Sequence, residues 1–253
     1  MSAPALRLEG LQKAYGDQPV VRGLDLEVRT GELVVLLGAS GSGKTTLLKM
    51  INRLVQPDAG RVELAGEDVA ALPDPLLRRR IGYVFQRIGL FPHLSVAENV
   101  GVTPRLLGWA PERIARRVAE LLAQVDLAPE LASRFPAALS GGQQQRVGVA
   151  RALAAAPELV LFDEPFGALD PVTRDRLQGL LESLRERFAG VFVTHDVSEA
   201  LRLGDRIAVL HEGRIVQLAP PEERVRTPAH PQVAARFAAP ARQAEAFAAL
   251  RGG

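Results

Sequence analysis

The spacing of apolar residues predicts strands and helices in an order typical of an α/β domain. Residues 24–28 alternate between apolar and polar positions, which indicates a half-buried strand. Residues 33–37 are apolar without interruption, as is typical of a central strand in a parallel sheet. A glycine-rich loop follows, and the sequence then predicts a helix from about Gly43 to Leu54. A phosphate-binding α/β core requires this order of strand, loop and helix.

The middle of the chain, from about residue 86 to residue 153, is predicted to be mainly helical. Pro111 lies near the first turn of one helix, where proline is tolerated. One face of that helix carries the apolar residues Ile114, Val118, Leu121, Leu122 and Val125. We interpret this segment as a helical subdomain inserted into the α/β core.

The pattern of the α/β core returns after the helical segment. Buried strands are predicted at residues 159–163 and 191–194, an amphipathic helix at 177–188 and a hairpin at 207–218. Beyond about residue 224 the chain is rich in alanine, so we expect a helical tail. We therefore divide the chain into one domain over residues 1–223 and a tail over residues 224–253.

Composition changes this picture by excluding several classes of protein. A chain of 253 residues that is 47% apolar can bury the core of one large domain. Its net charge of +2 comes without a dense basic stripe, so we expect no nucleic-acid partner. The chain has no cysteine, which excludes disulfides and thiolate metal sites.

No segment of the sequence predicts a membrane span. The first ten residues lack the pattern of a signal peptide. The best apolar stretch, residues 33–37, is far shorter than the roughly 20 residues that cross a bilayer. We therefore expect any membrane role to depend on a partner.

The glycine-rich loop matches the phosphate-binding pattern G-x-x-x-x-G-K-[ST]. Its residues are Gly38, Ala39, Ser40, Gly41, Ser42, Gly43, Lys44, Thr45 and Thr46. The glycines let successive backbone N–H groups converge on phosphates at a helix N-terminus. Lys44 is expected to bind the β- and γ-phosphates, and the Thr45 hydroxyl to bind Mg²⁺. The simpler interpretation is a Gly/Ser-rich turn, and the motif alone does not say which class of nucleotide-binding protein carries it.

Two acidic residues, Asp163 and Glu164, follow the predicted strand 159–163 directly. A carboxylate at the C-terminal end of a parallel strand faces the cleft beside the phosphate loop. We expect Asp163 to hold Mg²⁺ and Glu164 to act as general base toward the attacking water. Capping and solvation are the simpler roles of such a pair.

A second helix N-terminus carries the sequence Ser140, Gly141, Gly142 and Gln143. Ser140 is a good N-cap, and Gln143 three residues later predicts a capping box. The two glycines leave backbone N–H groups open to an anion. The segment is either a well-capped helix or a second phosphate-binding terminus, about a hundred residues after the first.

Residues 139–143, L-S-G-G-Q, resemble the signature of ABC ATPases, and other motifs of that family follow in order. The resemblance covers residues from about 6 to 220. It implies an α/β fold: a P-loop NTPase core with a parallel central sheet, an N-terminal antiparallel β subdomain and an inserted helical subdomain that carries the signature.

Five more positions match functional residues of the family. Tyr15 matches the aromatic residue that stacks on adenine, and Val20 is also expected to bind the nucleotide. Gln86 matches the Q-loop glutamine, which would touch Mg²⁺ or the water. Residues 167–170 look like the D-loop, whose Asp170 would link two ATP sites, and His195 looks like the switch histidine, a catalytic position that would contact the γ-phosphate.

The resemblance also implies how two copies of the chain cooperate. In that family two subunits pack head to tail around ATP. Each ATP would lie between Lys44 of one chain and Ser140, Gly141, Gly142 and Gln143 of the other. The implied cofactors are ATP and Mg²⁺.

Several segments narrow the resemblance to bacterial importers. Residues 81–93 and 101–109 look like those of uptake ATPases for osmoprotectants such as glycine betaine or choline. The implied partners are a membrane permease and, indirectly, an extracytoplasmic binding protein, with the chain peripheral on the cytoplasmic face. An importer of another small solute, a soluble ABC ATPase without a transport role and a scaffold that binds ATP without turnover stay open as alternatives.

Overall fold

The computed structural model describes residues 3–86, 89–167, 169–226 and 230–238. Their strands are β1 Leu6–Tyr15, β2 Gln18–Val28, β3 Leu33–Gly38, β4 Ala59–Leu64, β5 Glu67–Asp68, β6 Ile81–Val84, β7 Leu159–Asp163, β8 Gly190–Thr194, β9 Arg206–His211 and β10 Arg214–Ala219. Their helices are α1 Lys44–Ile51, α2 Asp74–Arg80, α3 Val96–Leu106, α4 Pro111–Gln124, α5 Gly141–Leu153, α6 Pro171–Leu184, α7 Val197–Leu203, α8 Pro221–Arg226 and α9 at residues 231–238.

A six-stranded sheet in the order β10-β9-β3-β8-β7-β6 forms the centre of the fold. β3 pairs in parallel with β8 and β9, and β7 pairs in parallel with β8 and β6. Every residue of β3, β7 and β8 is buried, which explains their unbroken apolar sequences. The predicted parallel core is confirmed.

Alternate residues of β3 face two separate hydrophobic cores. Leu33, Val35 and Leu37 pack with apolar residues of the helices α3 to α7. Val34 and Leu36 pack with apolar residues of α1 and of a second sheet, which contains β1, β2 and β4. The central sheet is therefore covered on both faces, as a parallel sheet requires.

The second sheet has four strands in the order β2-β1-β4-β5, paired antiparallel. Residues 24–28 in β2 alternate between buried and exposed, so the predicted half-buried strand is confirmed. This sheet is the expected N-terminal antiparallel subdomain. The predicted hairpin is also confirmed, because β9 and β10 pair antiparallel across residues 212–213.

Two helices were predicted with wrong boundaries. α1 ends at Ile51 and not at Leu54, because Arg53 has a left-handed φ of 54° that a helix cannot continue. α6 begins at Pro171, before the predicted start, because Asp170 caps it there, and it ends at Leu184 before a short 3₁₀ turn.

The segment predicted to be helical holds α3, α4 and α5, with short 3₁₀ turns between α4 and α5. The expected tail contains the end of α8 and all of α9, whose Val233 and Phe237 are buried in the main core. Residues 227–229 and 239–253 lie outside the described residues, and the domain boundary near residue 223 stays a prediction. Of the helices described, none is both long and apolar enough to cross a bilayer.

Replacing Gly82 by alanine should destabilise the fold. A Cβ at Gly82 in β6 would collide with the carbonyl oxygen of Ala152 in α5. Overpacking against backbone costs about 1–3 kcal/mol of unfolding free energy. Urea unfolding should show a lower midpoint with an unchanged slope.

Gly179→Ala is the matched control. Gly179 lies within α6, and its added Cβ would come no closer than 3.5 Å to the flexible guanidinium of Arg202. Alanine favours a helix interior over glycine by roughly 0.5–1 kcal/mol, so this variant should be at least as stable as wild type. A Gly82→Ala protein as stable as Gly179→Ala would contradict the close contact.

Candidate nucleotide-binding site

The phosphate loop joins the end of β3 to the start of α1. Gly43, the residue before the helix, has a φ of 100°, and a Cβ there would lie 2.8 Å from the carbonyl oxygen of Val20. Only glycine fits this conformation and this close approach. The backbone of Val20, a residue predicted to bind nucleotide, therefore lies against the loop, and its contact with the nucleotide stays a prediction.

Lys44 is the first residue of α1 and is 5% exposed. Its Nζ donates to the carbonyl oxygens of Gly38 at 2.9 Å and Ala39 at 2.8 Å. Burial lowers the pKa of the ammonium, and the nearby Glu164 carboxylate acts in the opposite direction. The Ser42 hydroxyl is buried and has no hydrogen-bond partner among the described residues. Phosphate oxygens in the loop would accept hydrogen bonds from both the Lys44 ammonium and the Ser42 hydroxyl.

Thr45 and Asp163 meet beside the loop. The Thr45 hydroxyl donates to Oδ1 of Asp163 at 3.0 Å. Asp163, at the end of β7, is 9% exposed, and burial raises the pKa of its carboxyl. Carboxylate and hydroxyl oxygens suit Mg²⁺, which is usually bound by one or two carboxylates together with phosphates and water. The residues present therefore fit the expected metal.

Tyr83 is a contact of this site that the sequence interpretation missed. Its hydroxyl donates to Oδ2 of Asp163 at 3.3 Å, and burial raises the pKa of the phenol. Tyr83 lies in β6, opposite Leu161 of β7. The only signal in the sequence was a tyrosine in an apolar strand before Gln86, and nothing there showed that β6 and β7 are neighbours.

Glu164 lies between two of the other predicted residues. Its Oε2 is 3.3 Å from Nε2 of Gln86 and 3.3 Å from Nδ1 of His195. The side chain of Glu164 is 22% exposed, whereas that of His195 is 64% exposed. Three residues from three separate segments therefore meet beside Asp163, which directly precedes Glu164.

The backbone of Glu164 is strained. Its φ of 44° lies in the left-handed region, and its N–H donates to the carbonyl of Val193 at 3.0 Å. Such a conformation in a residue other than glycine costs about 1–3 kcal/mol, and it occurs preferentially at functional sites. The sharp change of direction after β7 turns the two neighbouring carboxylates to separate partners.

The signature segment forms the predicted capping box. The Ser140 hydroxyl accepts from the N–H of Gln143 at 3.3 Å, and Oε1 of Gln143 accepts from the N–H of Ser140 at 2.9 Å. A Cβ at Gly141 would meet open space, so this end of α5 is accessible. In the described part of the chain, no hydrogen bond joins residues 140–143 to the phosphate loop.

Asp170 caps α6, accepting from the N–H groups of Val172 at 3.1 Å and Thr173 at 3.0 Å. Hydrogen bonds from Thr173 are the largest cause that lowers the pKa of Asp170. The expected contact of Asp170 across a subunit interface stays a prediction. Ala168 of the D-loop lies outside the described residues.

Tyr15, at the end of β1, is 51% exposed. The Nζ of Lys13 lies 5.8 Å from the centre of its ring. The ring is available for stacking, and its contact with adenine stays a prediction.

Known proteins resemble this chain over most of its length. A family profile described as "ABC transporter" matches residues 21–167. The glycine betaine/carnitine/choline transport ATP-binding protein OpuCA of Bacillus subtilis (strain 168) is 50% identical over 228 residues, which are 89% of this chain and 60% of OpuCA. The glycine betaine uptake system ATP-binding protein YehX of Escherichia coli (strain K12) is 50% identical over 223 residues, which are 87% of this chain and 72% of YehX.

Among solved structures, the fold resembles the ATP-binding cassette MJ0796 in its dimeric, post-hydrolysis state bound to ADP and Pi. The TM-score is 0.75 at 34% identity, and the match covers 85% of this chain and 98% of that one. The described fold is therefore that of an ATP-binding cassette. The chain spans about 60% of the length of OpuCA.

Lys44→Ala should weaken the binding of ATP. Removing the ammonium eliminates charge-assisted hydrogen bonds worth about 1.5–3 kcal/mol, which is roughly a 10- to 150-fold rise in the dissociation constant. Isothermal titration calorimetry on the purified chain measures this change.

Lys49→Ala is the control for loss of charge without loss of contact. Lys49 is exposed on the same helix and close enough to lower the pKa of Asp163. Because exposed charges are screened, its dissociation constant should rise by less than about threefold. Equal effects of the two variants would show that Lys44 acts only through its charge and does not contact the phosphates.

Proposed function

Because the chain belongs to the ABC transporter family, we propose that it binds and hydrolyses ATP as a subunit of an importer. One observation carries this proposal: Glu164 lies against both Gln86 and His195, next to the Thr45–Asp163 pair. A base, two groups able to position a water or a phosphate, and a set of oxygen ligands for Mg²⁺ are thus assembled at one edge of the sheet.

The phosphate loop binds the substrate in this proposal. Its backbone N–H groups and the N-terminus of α1 bind the phosphates, and Lys44 exchanges the carbonyls of Gly38 and Ala39 for phosphate oxygens. Thr45 and Asp163 hold Mg²⁺, with Gln86 as a third contact. When bound, the metal neutralises charge that develops on the phosphates.

Glu164 is the general base. It accepts a proton from the attacking water, while His195 donates a hydrogen bond to the γ-phosphate and Gln86 orients the water. Gln86 and His195 both already contact Glu164, so little rearrangement is needed when the triphosphate enters.

Two copies of the chain share each nucleotide. The signature end of α5 is capped and open, and it makes no hydrogen bond to its own phosphate loop within the described residues. A second chain, packed head to tail, brings its Ser140, Gly141, Gly142 and Gln143 to the phosphates. The dimeric state of MJ0796 supports this arrangement.

A cleft between the central sheet and the helical segment is the proposed docking site for a permease. It has a volume of about 300 Å³, and three large apolar side chains at it are exposed, namely Leu54, Phe85 and Phe91. Tyr83 and Phe85 stack there with ring centres 4.2 Å apart. Arg87 and Ile88, part of the segment that resembles osmoprotectant importers, lie outside the described residues.

The proposed solute class is quaternary-amine osmoprotectants such as glycine betaine or choline. OpuCA and YehX carry that class in their names and are half identical to this chain. The solute does not contact this subunit. The chain would lie on the cytoplasmic face of the membrane, bound to the permease, and an extracytoplasmic binding protein would act through the permease.

Glu164→Gln should retain ATP binding but lose turnover. The amide keeps the shape of the side chain but cannot accept the proton, and a general base contributes about 10²- to 10⁴-fold to rate. Phosphate release measures the loss, and light scattering with ATP should detect a dimer that persists because hydrolysis no longer opens it. Glu186→Gln, at an exposed acidic residue of the 3₁₀ turn, should keep wild-type turnover. Unchanged turnover in Glu164→Gln would remove Glu164 from the role of base.

The solute class is tested in proteoliposomes that hold the chain with its permease and binding protein. Glycine betaine or choline should stimulate ATP turnover, an amino acid should not, and a complex carrying Lys44→Ala should respond to neither. If the amino acid alone stimulated ATP turnover, the proposed solute class of quaternary amines would be wrong. Failure to associate with any permease, with turnover in the isolated chain, would favour a soluble ABC ATPase without a transport role.

A further inference from the structure

The first turn of α6 lies against three segments with different roles in the proposed mechanism: the D-loop, the signature helix and the segment that includes His195. Asp170 caps it, so the turn follows the D-loop directly. A Cβ at Gly142 would lie 2.5 Å from Cγ2 of Thr173, so the signature helix packs closely on this turn. The third segment, which includes His195, is reached through Arg174.

Arg174 touches the D-loop on one side. Its Nη2 donates to the carbonyl oxygen of Leu169 at 3.3 Å, and its backbone N–H donates to the carbonyl of Asp170 at 2.9 Å. The guanidinium is therefore hydrogen-bonded to the D-loop, which is expected to contact the second chain.

On the other side Arg174 faces the residue that follows His195. Its Nη1 lies 4.0 Å from Oδ2 of Asp196, and both side chains are about one-third exposed. The Nε of Arg174 is buried and has no partner in the described part of the chain. The guanidinium therefore faces Asp196 across an ion-pair distance too long for a hydrogen bond. It keeps an unpaired donor, although a planar fork can bind a carboxylate by two bonds.

Asp196 fixes the backbone around His195. Its Oδ1 accepts from the N–H groups of Ser198 at 2.7 Å and Glu199 at 3.3 Å, which begins α7. Its own N–H donates to the Thr194 hydroxyl at 3.0 Å. Because Asp196 directly follows His195, a displacement of its carboxylate would also displace His195 relative to Glu164.

We propose that Arg174 is a positioning residue that couples the surface serving the partner's ATP to the histidine serving the chain's own ATP. The inference rests on the proposed function. When the second chain engages the D-loop and the signature, the first turn of α6 shifts, and the guanidinium moves toward Asp196 or away from it. Hydrolysis at one site then depends on occupancy of the other, which appears as cooperativity in ATP.

Arg174→Ala tests the coupling. Steady-state phosphate release is measured against ATP concentration in the purified chain, with ATP binding to the monomer measured separately by calorimetry. The wild-type Hill coefficient should exceed 1, and in the variant it should fall to about 1. The maximal rate should fall about 5- to 150-fold, the range of typical coupling energies. Monomer affinity should stay within about twofold, since Arg174 does not touch the phosphate loop.

Arg187→Ala is the matched control, because Arg187 is exposed in the 3₁₀ turn that follows the same helix and does not line the cleft beside the signature segment. It should keep both the rate and the Hill coefficient. Arg174→Gln keeps most of the side chain and a donor for Leu169 while removing the charge that faces Asp196. It should lose cooperativity as Arg174→Ala does, and it serves if the alanine variant does not fold.

The outcomes separate this inference from the proposed function. A wild-type chain without ATP turnover would overturn both. A cooperative wild type whose Arg174→Ala and Arg174→Gln variants match Arg187→Ala would overturn the coupling and leave the proposed function intact. A variant with wild-type cooperativity but a lower rate would also overturn it, because Arg174 would then support the fold alone.

Discussion

The candidate site depends on the parallel register of the central strands. Leu37 of β3 lies opposite Thr194 of β8, and Val193 of β8 lies opposite Asp163 of β7. Because these strands run in the same direction and end at the same level, the residues that follow them lie at the same edge of the sheet. The phosphate loop, His195, Glu164 and Gln86 all emerge there, although they are up to about 150 residues apart in the chain.

This arrangement has an energetic cost that the rest of the fold offsets. Asp163 and Lys44 are almost fully buried. Burial raises the pKa of Asp163 and lowers the pKa of Lys44, so it favours the neutral form of each. Glu164 keeps a left-handed backbone conformation. Buried charged groups that are only partly paired are unfavourable for folding and favourable for binding, because an incoming phosphate and cation satisfy them. The sheet, buried on both faces, holds these groups in place before ligand arrives.

The sequence predicts the local parts of this site and not their assembly. The glycine loop, the acidic end of strand 159–163 and the capping box of Ser140 each rest on neighbouring residues, so their spacing reveals them. The bond from Tyr83 to Asp163 and the packing of Gly142 on Thr173 join segments far apart in the chain. Strand order and helix packing decide such contacts, and a single sequence carries no record of either. The strain at Glu164 is hidden for the same reason.

Glu164 lies where two routes of communication meet. Gln86 reaches it from the segment that holds Phe85, at the cleft proposed for the permease. His195 reaches it from the segment that Asp196 and Arg174 connect to the D-loop. Under the proposed function, a movement of the membrane partner would reach Glu164 through Gln86, and a movement of the second copy would reach it through His195. Because both side chains contact the base in the single chain, a displacement of either segment would change the geometry at Glu164. Docking of the permease and engagement of the second copy would therefore act on the same residue.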